Sequence, residues 1–321
     1  MNHRIVKILK IVLPLALGVF LIWYSISSAS PEERQQTWQA ISQADLRWVI
    51  LSVIMGIVSH MSRAYRWKFL LNPLGYSIKL SNGFMAVMAG YLANLGIPRS
   101  GEVLRGGIVA TYEEIPFKKA FGTIISERVI DLIMLSLIII ITIILQSQHM
   151  FSYFGDKISD PFISLGILIL LLFFGVLGLK ILRRSNNKFI IKIRDFGEGI
   201  LEGVKSIYFM KKKGVFVFHT VLIWVLYVLM FYVIKYAVPE TTNLSIGPIL
   251  VTFVAGSLAM SLTNGGIGAF PLAIAYALLL FDIDESAGKA FGWILWGSQT
   301  VINTIIGTLS FLLLPLLNRS K

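Results

Sequence analysis

Cysteine is absent from the 321 residues of this chain, and charged residues make up only 14% of it. Without cysteine there is no disulfide, no thiolate metal site and no cysteine nucleophile. The four histidines (His3, His60, His149 and His219) are scattered without metal-ligand spacing, so we expect no metal and no other cofactor. So low a charge content also argues against a soluble domain.

Apolar residues account for 56% of the chain and form runs longer than the roughly 18–20 residues that cross hydrocarbon. Six full spans are predicted, at residues 8–26, 48–65, 124–145, 162–182, 215–237 and 290–314. A cleaved signal peptide is the alternative for the first run, but its length and Trp23 and Tyr24 favour an uncleaved span. Residues 1–45 would then hold this span and a short helix on the outer surface.

The net charge of +12 is distributed as in a membrane protein rather than a nucleic-acid partner. Basic residues concentrate beside the spans and in the linker 183–213, which is either an amphipathic cytoplasmic helix or a simple charged connector. The outer segments hold only Arg34, Arg47, Lys157, Lys235 and Lys289. This asymmetry predicts that both termini are cytoplasmic.

Two further apolar regions are too short for comfortable spans and are broken by turn residues. The first consists of residues 80–97 and 103–112, and the second of residues 246–262 and 267–281. Each pair predicts a re-entrant hairpin, the first entering from the cytoplasm and the second from outside, as in an inverted repeat. We therefore predict an all-α, polytopic membrane helix bundle in which residues 1–321 form one domain. The two breaks should meet near the bilayer midplane.

Ionisable residues accumulate at the first break and at the start of the following span. They are Arg99, Glu102, Arg105, Glu127, Arg128 and Asp131. Such charges are costly in hydrocarbon unless they are paired or face a polar pathway. Arginine binds phosphate through two parallel hydrogen bonds, so a phospholipid or polyprenyl-phosphate headgroup is the expected ligand. There are two alternatives. The charges form a salt-bridge cluster that only fixes the hairpin to the next span, or they form a catalytic group.

The second break supplies neutral polar groups and a tight turn. Its candidate residues are Asn264, Gly265, Gly266 and Gly268, which would form either the other wall of a headgroup site or a packing contact. Gln299 and Asn303 are four residues apart in the last span, so they share a face that should point inward.

Together these motifs resemble a known family. The resemblance is carried by Asn94, Pro98, Gly101, Glu102, Arg105, Glu127, Arg128, Asp131 and the turn Gly265-Gly266-Ile267-Gly268. In this pattern the chain is similar to the flippase-like membrane domain of the lysylphosphatidylglycerol synthases and to stand-alone proteins related to it. Many members carry an acidic residue after the glycines, where this chain has Ala269-Phe270-Pro271. No aminoacyl-transferase domain follows Lys321, so we expect no enzymatic lysine transfer.

The resemblance implies an integral protein of a bacterial or archaeal plasma membrane whose partners are membrane lipids. The leading hypothesis is a lipid flippase or flippase-like transporter for an anionic or aminoacylated phospholipid or a lipid-linked sugar. A non-transporting scaffold of a lipid- or glycan-modifying enzyme is the second hypothesis. An intramembrane transferase is the third.

Overall fold

The computed structural model describes residues 20, 23, 24, 27, 30–154 and 210–318, with the backbone alone for residues 147–154. The described ranges are all-α, as predicted, and contain no strand. Their nine helices are α1 Pro31–Ser42, α2 Leu46–Leu71, α3 Leu80–Gly96, α4 Ser100–Tyr112, α5 Phe117–Phe154, α6 Lys213–Ile234, α7 Ile246–Leu262, α8 Ala269–Leu279 and α9 Glu285–Leu317.

Four of these helices, α2, α5, α6 and α9, are long and apolar enough to cross a membrane. They coincide with four of the six predicted spans. The predicted span at 162–182, nearly all of the basic linker 183–213 and, apart from Phe20, Trp23 and Tyr24, the predicted span at 8–26 lie outside the described residues. Helix α2 continues to Leu71, beyond the predicted end at residue 65, because Arg63 and Arg66 are buried within it instead of marking its polar edge.

Helix α1 begins where the sequence predicts a short polar helix. The Ser30 hydroxyl accepts a hydrogen bond from the Glu33 backbone N–H at 3.1 Å, and the Glu33 carboxylate accepts one from Ser30 N–H at 2.8 Å. This reciprocal pairing satisfies two backbone donors at the helix start, and Pro31 suits the first helical position. Helix α1 packs against α9.

The helices belong to two compact units. The first comprises the described residues up to 124 and from 214 onward, and the second comprises the described residues between 125 and 213. The first unit contains α1 to α4, the start of α5, α6 from its second residue, and α7 to α9. An aromatic core from α6, α7, α8 and α9 lies within this unit, where Phe231 contacts Phe253, Phe270 and Phe291.

Helices α3 and α4 form a first hairpin, and α7 and α8 form a second. The first hairpin opens beside the C-terminal end of α9, where Asn82 donates to Glu113 Oε1 at 2.6 Å and to Asn318 Oδ1 at 3.0 Å. The second hairpin lies along the N-terminal part of α9, where Gly292 faces Pro271. The two hairpins therefore point toward each other along a single helix.

Candidate functional site

The tips of the two hairpins meet. The first tip comprises residues 97–99, between α3 and α4, and the second comprises residues 263–268, between α7 and α8. The buried Asn264 side chain donates from Nδ2 to the Leu95 carbonyl oxygen at 3.2 Å. The Trp296 indole of α9 donates to the Gly265 carbonyl at 2.8 Å. The two sequence breaks are thus in contact, as predicted, and their depth in the membrane stays a prediction.

The first tip is a tight turn that displays one cation. Arg99 has a φ of 60°, a left-handed conformation that is uncommon outside glycine, and its side chain is exposed. The turn is held by Ser100 Oγ, which donates to Ile97 O at 2.8 Å, and by Asn94 Oδ1, which accepts from Gly101 N–H at 2.7 Å. Strained residues of this kind concentrate at ligand sites and switch regions.

The second tip depends on glycine for its conformation. Gly265, Gly266 and Gly268 have φ values of 64°, 78° and 70°, which residues with a Cβ adopt only at a cost. This run lets the chain reverse direction and begin α8 directly afterwards. Helices α4 and α8 therefore both start at the tips, where the helix dipole places a partial positive charge.

Arg105 does not lie at the tip. It is buried within α4, and its guanidinium stacks on the Trp67 ring of α2 at 3.9 Å from the ring centroid. The Trp67 indole in turn donates to Thr123 Oγ1 at 2.8 Å. Arg99 and Arg105, grouped by the sequence, thus have different surroundings: Arg99 is at the tip and Arg105 contributes to a buried contact between helices.

Arg63 and Arg66 of α2 are also buried, although the sequence predicts that they mark the membrane edge. Arg63 donates to the Tyr227 hydroxyl at 3.3 Å, and Arg66 donates to Thr220 Oγ1 at 3.1 Å. The Arg66 guanidinium also lies 5.6 Å from the Phe216 ring centroid. Both partners and Phe216 belong to α6. The two arginines are three residues apart, so they share one face of α2, and this spacing is the sequence feature that could have indicated their burial against another helix.

Glu127, Arg128 and Asp131 lie on α5 in the second unit. Glu127 is fully buried and Asp131 is 9% exposed. Arg128 Nη1 and Asp131 Oδ2 are 3.6 Å apart, one helical turn from each other. Within this unit the predicted ion pairing therefore holds for Arg128 and Asp131. Among the described residues no three His, Asp or Glu side chains are grouped as a metal site requires.

The inward face predicted for Gln299 and Asn303 is confirmed. Gln299 Nε2 donates to the Ser52 carbonyl oxygen at 3.2 Å. Asn303, one turn further along α9, lies beside the ring of the buried His60. These contacts bring polar side chains of α2 and α9 together next to the hairpin tips.

The chain matches the transmembrane region of the lysylphosphatidylglycerol synthases over residues 11–307. It belongs to this family. The match spans both hairpins, α2, α5 and α6, and α9 as far as residue 307, which agrees with the resemblance carried by the two breaks.

Curated relatives come from archaea. A UPF0104 membrane protein of Methanocaldococcus jannaschii is 25% identical over 293 residues, which are 83% of this chain and 84% of that protein. The glycosyltransferase AglD of Haloferax volcanii is 29% identical over 133 residues, which are 40% of this chain and 20% of AglD. A UPF0104 membrane protein of Pyrococcus horikoshii is 24% identical over 131 residues, 40% of this chain and 37% of that protein. No solved structure matches the chain significantly.

Proposed function

We propose that this chain is a lipid flippase or flippase-like transporter whose headgroup site lies at the two hairpin tips. The observation that carries the proposal is the hydrogen bond from Asn264 to the Leu95 carbonyl, which joins two hairpins that point toward each other. In transporters built from inverted repeats, broken helices of this kind meet at the substrate site. The hairpins would be re-entrant and the tips would lie near the bilayer midplane.

An anionic headgroup fits the charges at this place. The exposed Arg99 guanidinium and the N-termini of α4 and α8 favour negative charge there. Arginine provides paired donors in a plane that matches phosphate oxygens. The substrate class is therefore an anionic or aminoacylated phospholipid or a lipid-linked sugar phosphate. The buried Arg105 would support the site by fixing α4 on Trp67.

Movement of the lipid requires the tips to separate. Asn264 and Leu95 are joined by a single side-chain hydrogen bond, whereas Trp296 fixes the second tip to α9. Rocking of the first hairpin away from the second would open the site to one leaflet, and rejoining would close it. The described site residues thereby bind and release lipid, and we assign no enzymatic step to them.

Reconstitution tests the proposal directly. Purified protein in liposomes should speed the transfer of headgroup-labelled lipids between leaflets, with anionic lipids preferred over phosphatidylcholine. Arg99→Gln should lower that rate by about tenfold, the effect of losing one or two charge-assisted hydrogen bonds. Lys118→Gln removes an exposed cation away from the tips and should leave the rate unchanged. Lipid transfer equal to that of protein-free liposomes would refute the proposal.

A second candidate function is a membrane scaffold for a lipid- or glycan-modifying enzyme. It is favoured by the similarity of 133 residues to AglD, which is named as a glycosyltransferase. A scaffold predicts no lipid transfer in liposomes. It predicts instead that deleting the protein lowers the yield of a lipid-linked sugar transferase assayed in native membranes.

A further inference from the structure

The two limbs of the first hairpin are joined to each other and to α9 at the end opposite the tip. Asn82 of α3 is 2% exposed, and its amide donates to Glu113 Oε1 at 2.6 Å and to Asn318 Oδ1 at 3.0 Å. Asn318, at the C-terminal end of α9, donates in return to Asn82 Oδ1 at 3.1 Å and to Leu314 O at 2.8 Å. We call Asn82, Glu113 and Asn318 the base network.

Glu113 strengthens the base network. It follows the last residue of α4, and its carboxylate also accepts from the backbone N–H of Lys79, directly before α3, at 3.2 Å. An anion at a helix N-terminus is stabilised by the helix dipole, and hydrogen bonds to a charged group are roughly twice as strong as neutral ones. Because Asn82 and Asn318 also exchange two hydrogen bonds, the network joins α3, α4 and α9 through several mutually supporting contacts.

Towards the tip, the first hairpin is rigid within itself. A Cβ added at Gly90 would lie 3.0 Å from Gly101 O, so the two limbs are in direct contact there. Asn94 Oδ1 also accepts from Gly101 N–H at 2.7 Å. Helix α9 meets α3 through Gly307, where an added Cβ would lie 2.7 Å from Met88 O. That van der Waals contact loosens on a small rotation without leaving a polar group unpaired.

The attachment of the hairpin is much weaker at the tip than at the base. In the described part of the chain, the two tips share a single neutral hydrogen bond, from Asn264 to Leu95 O at 3.2 Å. Leu95 lies about 20 Å from Asn82 along α3, at roughly 1.5 Å per residue. A rotation of about 15° at the base, the size of a known rigid-body transition, would therefore move the tip by about 5 Å. That movement breaks the bond at the tip and leaves the base network intact.

We propose that Asn82, Glu113 and Asn318 are positioning residues for transport, which form the pivot about which the first hairpin rocks. This inference rests on the proposed function, because it deepens the account of how the same site opens. The base network acts at a distance, through Arg99, whose position relative to the second tip is set by the angle of the hairpin. The opposite arrangement is a gate, in which the base itself must open for lipid to pass.

A crosslink at the base distinguishes a pivot from a gate. Asn82→Cys with Asn318→Cys introduces the only two thiols of the chain, which a short bifunctional methanethiosulfonate reagent joins. Before treatment, the variant in liposomes should transfer anionic lipid about tenfold more slowly than wild type, because the hydrogen bonds that fix the hairpin are lost. The crosslinked protein should recover most of the wild-type rate. Asn82→Cys alone, given the same reagent, is the matched control and should stay slow.

Two results of this experiment overturn the pivot. One is an untreated variant that transfers lipid at the wild-type rate, since the base network would then be dispensable. The other is a crosslinked protein that transfers lipid no faster than the untreated one, as a gate requires.

A conservative substitution separates positioning from general destabilisation. Glu113→Gln keeps an oxygen that accepts from Asn82 and from Lys79 N–H, so its transfer rate should stay close to that of wild type. Glu113→Leu has no acceptor and should be about tenfold slower. The exposed Glu240 lies outside the base network, and Glu240→Leu should leave the rate unchanged. Equal rates for the two Glu113 variants contradict positioning through these hydrogen bonds.

Distances measured without transport separate this inference from the proposed function. In liposomes, spin labels on cysteines at the exposed Ile97 and Leu262 report on the tips, and labels at the exposed Lys79 and Leu317 report on the base. Pulsed electron paramagnetic resonance should give two tip distances that differ by about 5 Å, and a single base distance. A single tip distance, or two base distances, overturns the pivot even if the protein transfers lipid. The expected distances without lipid transfer by the wild type support the pivot and refute transport.

Discussion

Arg105 shows how a charge is accommodated in this apolar chain. Its guanidinium is buried against the face of Trp67 at 3.9 Å, a distance at which the ring quadrupole attracts the cation. Arg66 lies over Phe216 in the same manner, although at the longer distance of 5.6 Å. Aromatic faces thus receive guanidinium groups of α2 and α4 in the first unit. The Arg105 contact joins α4 to α2, and the Arg66 contact joins α2 to α6.

The first prediction concerns this stacking. Arg105→Lys keeps the charge but loses the planar group that covers the Trp67 ring. We expect the free energy of unfolding to fall by about 1–2 kcal/mol, the value for a desolvated cation–π pair. The measurement is thermal unfolding of purified protein in detergent. Arg99→Lys is the control, since Arg99 is exposed, and equal melting temperatures for the two variants would contradict the stacking role.

For single residues, the sequence predicts the local conformation better than the side chain's contact partners. The break at residues 98–101 identifies Arg99 as a residue of a turn, and the structure agrees. The partner of Arg105 is an aromatic ring on a different helix, and no local pattern connects position 105 with position 67. The hydrogen bonds of Arg63 and Arg66 to α6 could not be predicted either, because such contacts depend on tertiary packing.

Among the elements, the two hairpins were the most predictable. Their limbs are bounded by glycine, proline and asparagine, and α7 has the bounds that its apolar run predicts. The turn into α8 follows from three glycines with positive φ. The C-terminal end of α2 was less predictable, since a run of basic residues normally marks the membrane edge. Here those residues are buried, so the span end predicted from hydropathy falls before the helix end at Leu71.

The second prediction concerns the close contact between α3 and α4. A Cβ on Gly101 would clash with the Gly90 carbonyl oxygen and lie 2.7 Å from Asn94 Nδ2. Gly101→Ala should therefore separate the limbs and lower stability by about 1–3 kcal/mol, the usual cost of overpacking. Gly107→Ala is the matched control in α4, because nothing lies within 4 Å of its added Cβ. That variant should gain up to about 1 kcal/mol from helix propensity.

Both substitutions are read out by thermal unfolding under one set of detergent conditions. A Gly101→Ala protein as stable as the Gly107→Ala protein would show that the two limbs are not in close contact. Such a result would also remove the basis for placing Arg99 in a rigid turn.

For the whole molecule, the distribution of basic residues predicts that both termini are cytoplasmic. Lys235 and Lys289, two of the basic residues that this prediction assigns to the outer side, are buried. Lys235 donates to the Leu244 carbonyl at 2.7 Å, and Lys289 pairs with Glu285 at 2.7 Å. If the prediction holds, these two buried lysines leave the outer side with even less exposed positive charge.

The third prediction tests this orientation. Reporter proteins fused after Lys321 should be active if they function in the cytoplasm and inactive if they require the outer compartment. A fusion inserted between Thr242 and Asn243, near the start of α7, should give the reverse pattern. Outer activity of the fusion at Lys321 would overturn the orientation and the direction from which each hairpin enters.

The fourth prediction joins the contact at the tips to transport. Because the chain has no cysteine, Leu95→Cys with Asn264→Cys introduces the only two thiols, at positions whose native residues share a hydrogen bond. Oxidation should link the two hairpins efficiently, as shown by the altered mobility of the unreduced protein in electrophoresis. If transport requires the tips to separate, the oxidised protein in liposomes should lose nearly all lipid transfer, and reduction should restore it.

The pair Leu95→Cys with Leu317→Cys carries the same number of thiols, but Leu317 is at the end of α9, away from the tips. It should not crosslink, and its lipid transfer should be insensitive to oxidant. Efficient crosslinking of Leu95→Cys/Asn264→Cys with undiminished transfer would refute a moving contact, because a covalently joined pair cannot separate by more than the length of a disulfide. The tips would then be a fixed part of the fold, and the opening would have to lie elsewhere in the bundle.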